Sequence, residues 1–287
     1  MTSRFQPEVL DLTTTCKEHK AVFERYLTQW NLQPDGEPIH TPGSDLLPVR
    51  FDGLPAMLKV ARDSEEKVGA QVMRWWDGEG AAKVFRLEGD ALLMERATGP
   101  GSLMRMALDG QDDEASRIAC ATIARLHAPR LARAPELVPL EEWFRSLWPA
   151  ARQRGGLFAE AAGVARELLG SQREVVVLHG DIHHDNVLDF GERGWLAIDP
   201  KRVIGDRGYD YANLICNPEL PTVVQPVRFA RQIEVIAEAS GLGRQRLLRW
   251  VLAYAGLSAA WFLEDGDAIS AESDLCVARL AVEAFTL

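Results

Sequence analysis

Val175-Val-Val-Leu178-His179-Gly180-Asp181-Ile182-His183-His184-Asp185-Asn186-Val-Leu-Asp-Phe190 is the stretch that decides how the chain is read, with Gly191-Glu-Arg-Gly194-Trp-Leu-Ala-Ile-Asp199-Pro200 continuing it. Four consecutive aliphatic residues predict a buried strand. A polar loop follows, and three of the chain's six histidines fall inside it. A second short strand leaves the loop, a turn bounded by Gly191 and Gly194 reverses the chain, and a third strand ends on Asp199. So many polar residues directly after an all-apolar strand are poor core material. The strands supply a rigid frame whose edge presents carboxylates and an amide.

Two chemistries suit that loop. In the first, Asp181 orients and deprotonates a hydroxyl nucleophile, while Asn186 and Asp199 hold Mg²⁺ through hard oxygen atoms. That is the layout of phosphoryl transfer, in which the protein mainly positions groups and stabilises charge. In the second, His179, Asp181, His183, His184 and Asp185 ligate Zn²⁺ or a pair of metals in a hydrolase. The first chemistry makes two further demands on the chain, a strand lysine paired with a helix glutamate and a turn near the phosphates. Lys59, in Ala56-Met-Leu-Lys59-Val-Ala61, is flanked by apolar residues on an expected strand. Glu66, seven residues on, is its expected partner, with Glu65 the alternative. A lysine protecting a sheet edge is the competing reading. The turn Thr41-Pro-Gly43-Ser44-Asp45 has one glycine and by itself carries little.

Working outward, the periodicity predicts a helix over 15–30, with Val22, Tyr26 and Trp30 on one stripe. Strands are expected at 46–51 and 55–60 around an Asp52-Gly53 turn, then a helix over 64–76 capped by Ser64. Strands at 82–87 and 91–95 follow. Ala97-Thr-Gly-Pro-Gly-Ser102 reads as a linker. Helices are expected beyond it at 111–127, 140–148, 157–169, 226–240, 243–264 and 268–285. The fold class is therefore α+β: a small β-rich lobe over 1–96, a hinge at 97–102, and a larger helical lobe over 103–287 carrying one embedded hairpin.

The 287 residues carry 32 basic against 42 acidic side chains, a net charge of −10. That balance argues against a nucleic-acid binder, which needs a basic face against phosphates. It is compatible with a small cationic ligand, but the ordinary acidity of many cytosolic proteins that bind nothing cationic accounts for it better. The four cysteines, Cys16, Cys120, Cys216 and Cys276, form no C-x-x-C pair, so a zinc ribbon is excluded. No secretory signal and no membrane span are read, and the expected location is the cytoplasm.

His179-Gly-Asp181-Ile-His183-His-Asp-Asn186 followed by Ile198-Asp199-Pro200 resembles the catalytic segment of the aminoglycoside phosphotransferases, small-molecule kinases with a protein-kinase-like bilobal fold. The resemblance leans to the streptomycin 6-phosphotransferase and hydroxyurea kinase branch. It extends through Ile204–Asn213, Cys216–Pro218 and Ala253–Trp261. It implies ATP and Mg²⁺ as cofactors, Asp181 as the base, and Asn186 and Asp199 as metal ligands. It implies Lys59 on the nucleotide phosphates, held by Glu66, with Ser44 in the phosphate-side turn. Main-chain groups of Glu95 and Ala97 would bind adenine. His179 and Asp210 would brace the catalytic loop. Pro200 departs from the protein-kinase D-F-G triplet.

The expected acceptor is a hydroxyl of a small cationic molecule, an aminoglycoside such as streptomycin, with hydroxyurea or another polar metabolite as the variant. Trp261, Glu264, Asp265 and Asp267 are its expected binding residues. Ordinary turn chemistry at a solvated helix end competes with that reading of the acidic trio. From other classes, a metal-dependent hydrolase at the histidine string and a kinase-like binding protein without turnover stand as alternatives.

Overall fold

The computed structural model describes residues 22–62, 64–218 and 221–285, with backbone alone at 64–66. The expected helix over 15–30 is seen as α1 at 22–29, and its first part lies outside the described residues. The chain divides into two compact units, Met1–Lys67 with Val84–Arg96, and Val68–Lys83 with Ala97–Leu287.

The first unit is an antiparallel sheet. Its strands are β1 (Gln33–Pro34), β2 (Ile39–His40), β3 (Ser44–Phe51), β4 (Leu54–Ala61), β5 (Val84–Glu88) and β6 (Ala91–Glu95). They lie in the order β1-β3-β4-β6-β5, with β2 on β3. Asp52 and Gly53, at φ 50° and 81°, make the two-residue turn that sets Phe51 opposite Leu54. Two successive positive φ values twist the hairpin in the hand the strands prefer, which is why Asp-Gly suits it. Phe23 and Tyr26 of α1 close the core over Leu47, Val49, Ala56, Leu58, Val60 and Leu93. Lys59 is set between Leu46 of β3 and Leu92 of β6, so β4 is interior and the sheet-edge reading of this lysine is excluded.

The second unit is helical. It contains most of α2 (Ser64–Trp76), then α3 (Leu103–Leu108), α4 (Asp112–Leu126), α5 (Leu140–Trp143), α6 (Leu147–Arg154), α7 (Gly156–Leu169), α8 (Gly208–Ile215), α9 (Pro226–Ser240), α10 (Arg244–Glu264) and α11 (Ala268–Phe285). The helix α10 is buried from Leu247 to Ala260 at all but one position and packs against α7, α8 and α11. A helix apolar on all sides belongs at the centre of its unit. Gly256 makes this possible, since a Cβ there would sit 2.4 Å from that of Ala161 on α7.

Residues 68–83 differ from the expected first lobe by packing with the helical unit. Trp76 is fully buried and its ring stacks on His179 at 6.1 Å. Ala82 N donates to Ala197 O and Ala197 N to Gly80 O, both at 2.9 Å. The strand-rich island also differs from a single hairpin. The first strand, β8 (Val175–Leu178), pairs antiparallel with β11 (Val203–Asp206), which pairs parallel with β7 (Val138–Pro139). The hairpin proper is β9 (Val187–Asp189) with β10 (Trp195–Ala197).

Candidate active site

The loop between β8 and β9 is held from beneath by Asp210 of α8. Its carboxylate accepts from His179 N at 2.8 Å, from Gly180 N at 2.9 Å and from His127 Nε2 at 2.8 Å. Burial alone would raise the Asp210 pKa, but the bond and charge of His127 and the Gly180 amide outweigh it and hold the group below the usual carboxylate range. An anion buried on three donors is the arrangement that keeps a charge inside a protein. Gly180 turns the chain at φ 82°, where a Cβ would meet Lys201 Cβ at 3.0 Å.

His179 connects the loop to the end of the hairpin. Its Nε2 donates to Ile198 O at 2.8 Å, and its Nδ1 accepts from Asp181 N at 3.3 Å. Its own carbonyl accepts from Lys201 N at 2.7 Å. One residue therefore pins the chain on both sides of Asp199. Burial lowers the His179 pKa, which keeps the neutral ring with its proton on Nε2, as this pattern requires. Asp199 is held at φ 59°, an uncommon conformation for a residue with a side chain, and the two flanking bonds fix it there. Asn186 is tied in as well. Its Nδ2 donates to Asp181 O at 2.8 Å and its carbonyl accepts from Ile198 N at 2.9 Å.

These bonds leave a defined set of groups for chemistry. The Asp181 side chain is 38% exposed, with Lys201 Nζ 3.9 Å from its Oδ2. The Asn186 amide nitrogen is engaged, so its oxygen is the pole left for a ligand. Asn186 and Asp199 thus offer hard oxygen donors, the type that suits Mg²⁺ rather than Zn²⁺. The histidine string is not a metal cage. Among the described residues no group of three or more His, Cys, Asp and Glu side chains converges to hold a metal. Both His179 nitrogens are engaged as above, and His183 Nδ1 accepts from Asp185 N at 3.3 Å. His184 is buried, with its pKa lowered to about 3 by burial, then by Arg228 and His183.

The model of the aminoglycoside/hydroxyurea antibiotic resistance kinases matches residues 29–266. The chain belongs to that family. It is 52% identical to a streptomycin 3''-kinase of Klebsiella pneumoniae, over 84% of this chain and 92% of the relative. It is 31% identical to a streptomycin 6-kinase of Streptomyces griseus, over 90% and 88%. It is 30% identical to a hydroxyurea phosphotransferase of Kitasatospora aureofaciens, over 89% and 76%. An aminoglycoside phosphotransferase solved with ADP and hygromycin B shares the fold at TM-score 0.64 and 15% identity, over 91% of this chain and 98% of that one. A choline/ethanolamine kinase family protein from Mesorhizobium loti does so at TM-score 0.65 and 16% identity, over 93% and 94%. The protein-kinase-like fold and the phosphotransferase class expected from the sequence stand, and the metallohydrolase alternative does not.

The remaining expected site residues of this kinase are placed as follows. In the first unit, Lys59 is 4% exposed and Ser44 2%. The 41–45 turn is pinned rather than loose. Thr41 Oγ1 accepts from Ser44 N at 3.1 Å, and Arg62 bonds both Thr41 O and Gly43 O. Glu66 lies on α2 at a position whose side chain is outside those described. Glu95 closes β6. In the second unit, Ala97 opens a segment whose glycines serve close packing rather than flexibility. Gly99 N donates to Asp189 O at 2.9 Å and Gly101 N to Asp189 Oδ2 at 3.0 Å, and a Cβ on Gly99 would fall 2.0 Å from that carboxyl. Trp261 meets Trp143 edge to face at 5.7 Å. Glu264 accepts from Ser146 Oγ at 3.0 Å. Asp265 ends α10, and Asp267 caps α11 by accepting from Ile269 N, Ser270 N and Ser270 Oγ. Sequence reasoning missed His127, Lys201 and Asp189. Lys201 follows Ile198-Asp-Pro directly and was open to notice, whereas His127 and Asp189 matter only through contacts distant in sequence.

Proposed function

We propose that this kinase transfers the γ-phosphoryl group of ATP, with Mg²⁺, to the 3''-hydroxyl of streptomycin. The observation that carries the reading is the brace at His179, which orients a half-open Asp181 while fixing Asn186 and Asp199 on the same loop and hairpin. The 52% identity to a streptomycin 3''-kinase, against 31% to a 6-kinase, favours the 3'' position over the 6 position.

Asp181 receives the hydroxyl of the acceptor and takes its proton as the phosphoryl group arrives. Lys201, beside it, balances the charge on that carboxylate. Asn186 and Asp199 would hold Mg²⁺, which when bound neutralises charge on the nucleotide phosphates. Lys59 contacts the α- and β-phosphates with Glu66 as its partner, and Ser44 lies in the phosphate-side turn. Main-chain groups of Glu95 and Ala97 take the adenine. Trp261, Glu264 and Asp265 stand for the outer contacts to a cationic acceptor, and Asp267 is the weakest of the acidic trio because its carboxylate is engaged in the cap. Such an enzyme works where ATP is abundant, in the cytoplasm. The free thiols Cys120, Cys216 and Cys276 agree with that, and no helix of the described residues is long and apolar enough to cross a membrane.

Purified protein with ATP and Mg²⁺ should convert streptomycin to a monophosphate, with the phosphate located by NMR at the 3'' position. Phosphate at the 6 position would correct the regiochemistry. Phosphorylation of hydroxyurea but not of streptomycin would overturn the reading.

A further inference from the structure

Lys201 lies two residues before β11, and that placement carries it to the catalytic loop. The pairing of β8 with β11 sets Leu178 opposite Val203. Continued two residues past these, the same register sets Gly180 opposite Lys201. Lys201 N donates to His179 O at 2.7 Å, which holds the backbone in that place. The stem of the lysine then lies over Gly180. A Cβ on that glycine would stand 3.0 Å from Lys201 Cβ and 3.6 Å from Lys201 Cγ. The glycine of His179-Gly-Asp181 thus has a use besides its turn, since it leaves room for this stem on the way to Asp181.

The head of the side chain stands where the chemistry needs a cation. Lys201 Nζ is 3.9 Å from Asp181 Oδ2, an ion-pair separation beyond hydrogen-bond range, so its three N–H bonds are not spent on that carboxylate. The side chain is 27% exposed, enough to meet a ligand on the open side of Asp181. A hydroxyl handing its proton to Asp181 lies about 3 Å from the carboxylate, and the phosphorus it attacks lies about 3–3.5 Å beyond. An ammonium 3.9 Å from the same carboxylate is therefore within reach of the oxygens on that phosphorus. Transfer also brings an anionic phosphoryl group up to an anionic base, and a cation beside both lowers their repulsion.

We propose that Lys201 is a catalytic residue whose ammonium binds the γ-phosphoryl group of ATP and stays on it through transfer. This rests on the reading of Asp181 as the base of the kinase and adds the cation that receives the migrating group. In the step, the acceptor oxygen forms its bond to phosphorus while the bond from phosphorus to the β–γ bridging oxygen breaks, the electron pair leaving with ADP. The hydroxyl proton goes to Asp181. Lys201 neither gives nor takes a proton. Its hydrogen bonds go to the equatorial oxygens, over which charge is spread as the group passes.

The test is calorimetric titration of AMP-PNP and of ADP, each with Mg²⁺ and no acceptor, into wild type, Lys201→Met and Lys201→Arg. Steady-state kinetics with streptomycin run alongside. AMP-PNP, a non-hydrolysable ATP analogue, carries the γ-group and ADP lacks it. Lys201→Met should bind AMP-PNP about tenfold more weakly, the loss of one charge-assisted hydrogen bond, and bind ADP as wild type does. Its kcat should fall about 10²–10³-fold, the loss typical of one donor to transition-state charge, with the streptomycin KM little changed. Lys201→Arg, which keeps the charge, should recover part of both losses. AMP-PNP affinity in Lys201→Met equal to wild type would mean that the lysine only balances Asp181, and would overturn the inference whatever kcat does. Equal weakening of AMP-PNP and ADP would mean a structural role and would overturn it too. A wild type that does not phosphorylate streptomycin would remove the acceptor reading alone, because the nucleotide comparison is made without acceptor and still decides on Lys201.

Discussion

Asp181 and Asp274 are two carboxyl groups of the same unit with opposite environments, and their expected behaviour follows from that. Asp181 is open, next to an ammonium, and its backbone is tied on both sides to His179 and Asn186. Asp181→Asn should keep nucleotide binding and lower kcat by ~10²–10⁴, the usual contribution of a positioned base. Turnover in the mutant comparable to wild type would remove Asp181 from that role. Asp274 is buried, with its pKa raised from 3.8 to about 7. An acid whose folded pKa lies above its unfolded value holds its proton longer in the folded state. Its contribution to stability is therefore full below about pH 3.8 and is lost as pH rises toward about 7. Each pH unit of separation corresponds to about 1.4 kcal/mol, so the loss is on the order of a few kcal/mol. Asp274→Asn removes this slope. Thermal unfolding should show a Tm several degrees above wild type at pH 8 and little difference at pH 4. A Tm gain that is the same at both pH values would contradict the raised pKa. The two residues also differ in how far sequence reveals them. Asp181 stands out because it follows an all-apolar strand. Asp274, in Glu272-Ser-Asp274, looks like any solvated helix position, and only the packing of the fold shows that it is inside.

At the scale of elements, the catalytic loop takes its shape from α8 and α2. Asp210→Asn would turn one acceptor oxygen into a donor facing the amides of His179 and Gly180 or the His127 ring. Breaking a buried charged network of this kind costs about 3–5 kcal/mol, so chemical denaturation should show a lower midpoint together with lost activity. A midpoint unchanged from wild type would mean that the loop does not depend on this anchor. Gly69 of α2 makes a second, independent test. A Cβ there would lie 2.3 Å from Pro200 O, directly after Asp199. Gly69→Ala must displace α2 or the Asp199–Pro200 segment, and the expected result is a raised KM for Mg-ATP with the acceptor KM less affected. Equal change in both would place the effect outside the nucleotide side. The elements themselves were unevenly legible. The helices at 64–76, 226–240 and 268–285 and the strand at 91–95 were read with their observed limits, because caps, proline at the first turn and periodicity are local signals. β7 and β11 were missed. β7 is two residues long, β11 contains a glycine, and their pairing with β8 joins residues 138, 178 and 203. Segment 68–83 was assigned to the first lobe for a related reason: Trp76 against His179 is a contact across about a hundred residues, which no window along the chain contains.

For the whole molecule the net charge of −10 is the property that bears on function. An acidic surface attracts a cationic acceptor before any specific contact forms and raises the rate of encounter. That attraction acts through solvent and is screened once the Debye length, ~10 Å at 0.1 M and ~3 Å at 1 M, falls below the separation of the charges. A buried pair is screened much less. The two contributions can therefore be separated by salt and mutation together. Raising the ionic strength from low to physiological and beyond should lower kcat/KM for streptomycin several-fold in wild type. Mg-ATP, an anionic ligand of the same enzyme, supplies the reference, and its kcat/KM should not fall in step over the same range. Glu264→Gln with Asp265→Asn should begin from a lower kcat/KM for streptomycin and lose a smaller further factor with salt, because both carboxylates are exposed and salt screens what the mutation removes. If the salt response is as large in that double variant as in wild type, those two carboxylates have no part in the attraction. If kcat/KM for streptomycin and for Mg-ATP respond alike to salt, the effect lies in the fold, and the acidic surface has no part in choosing the acceptor.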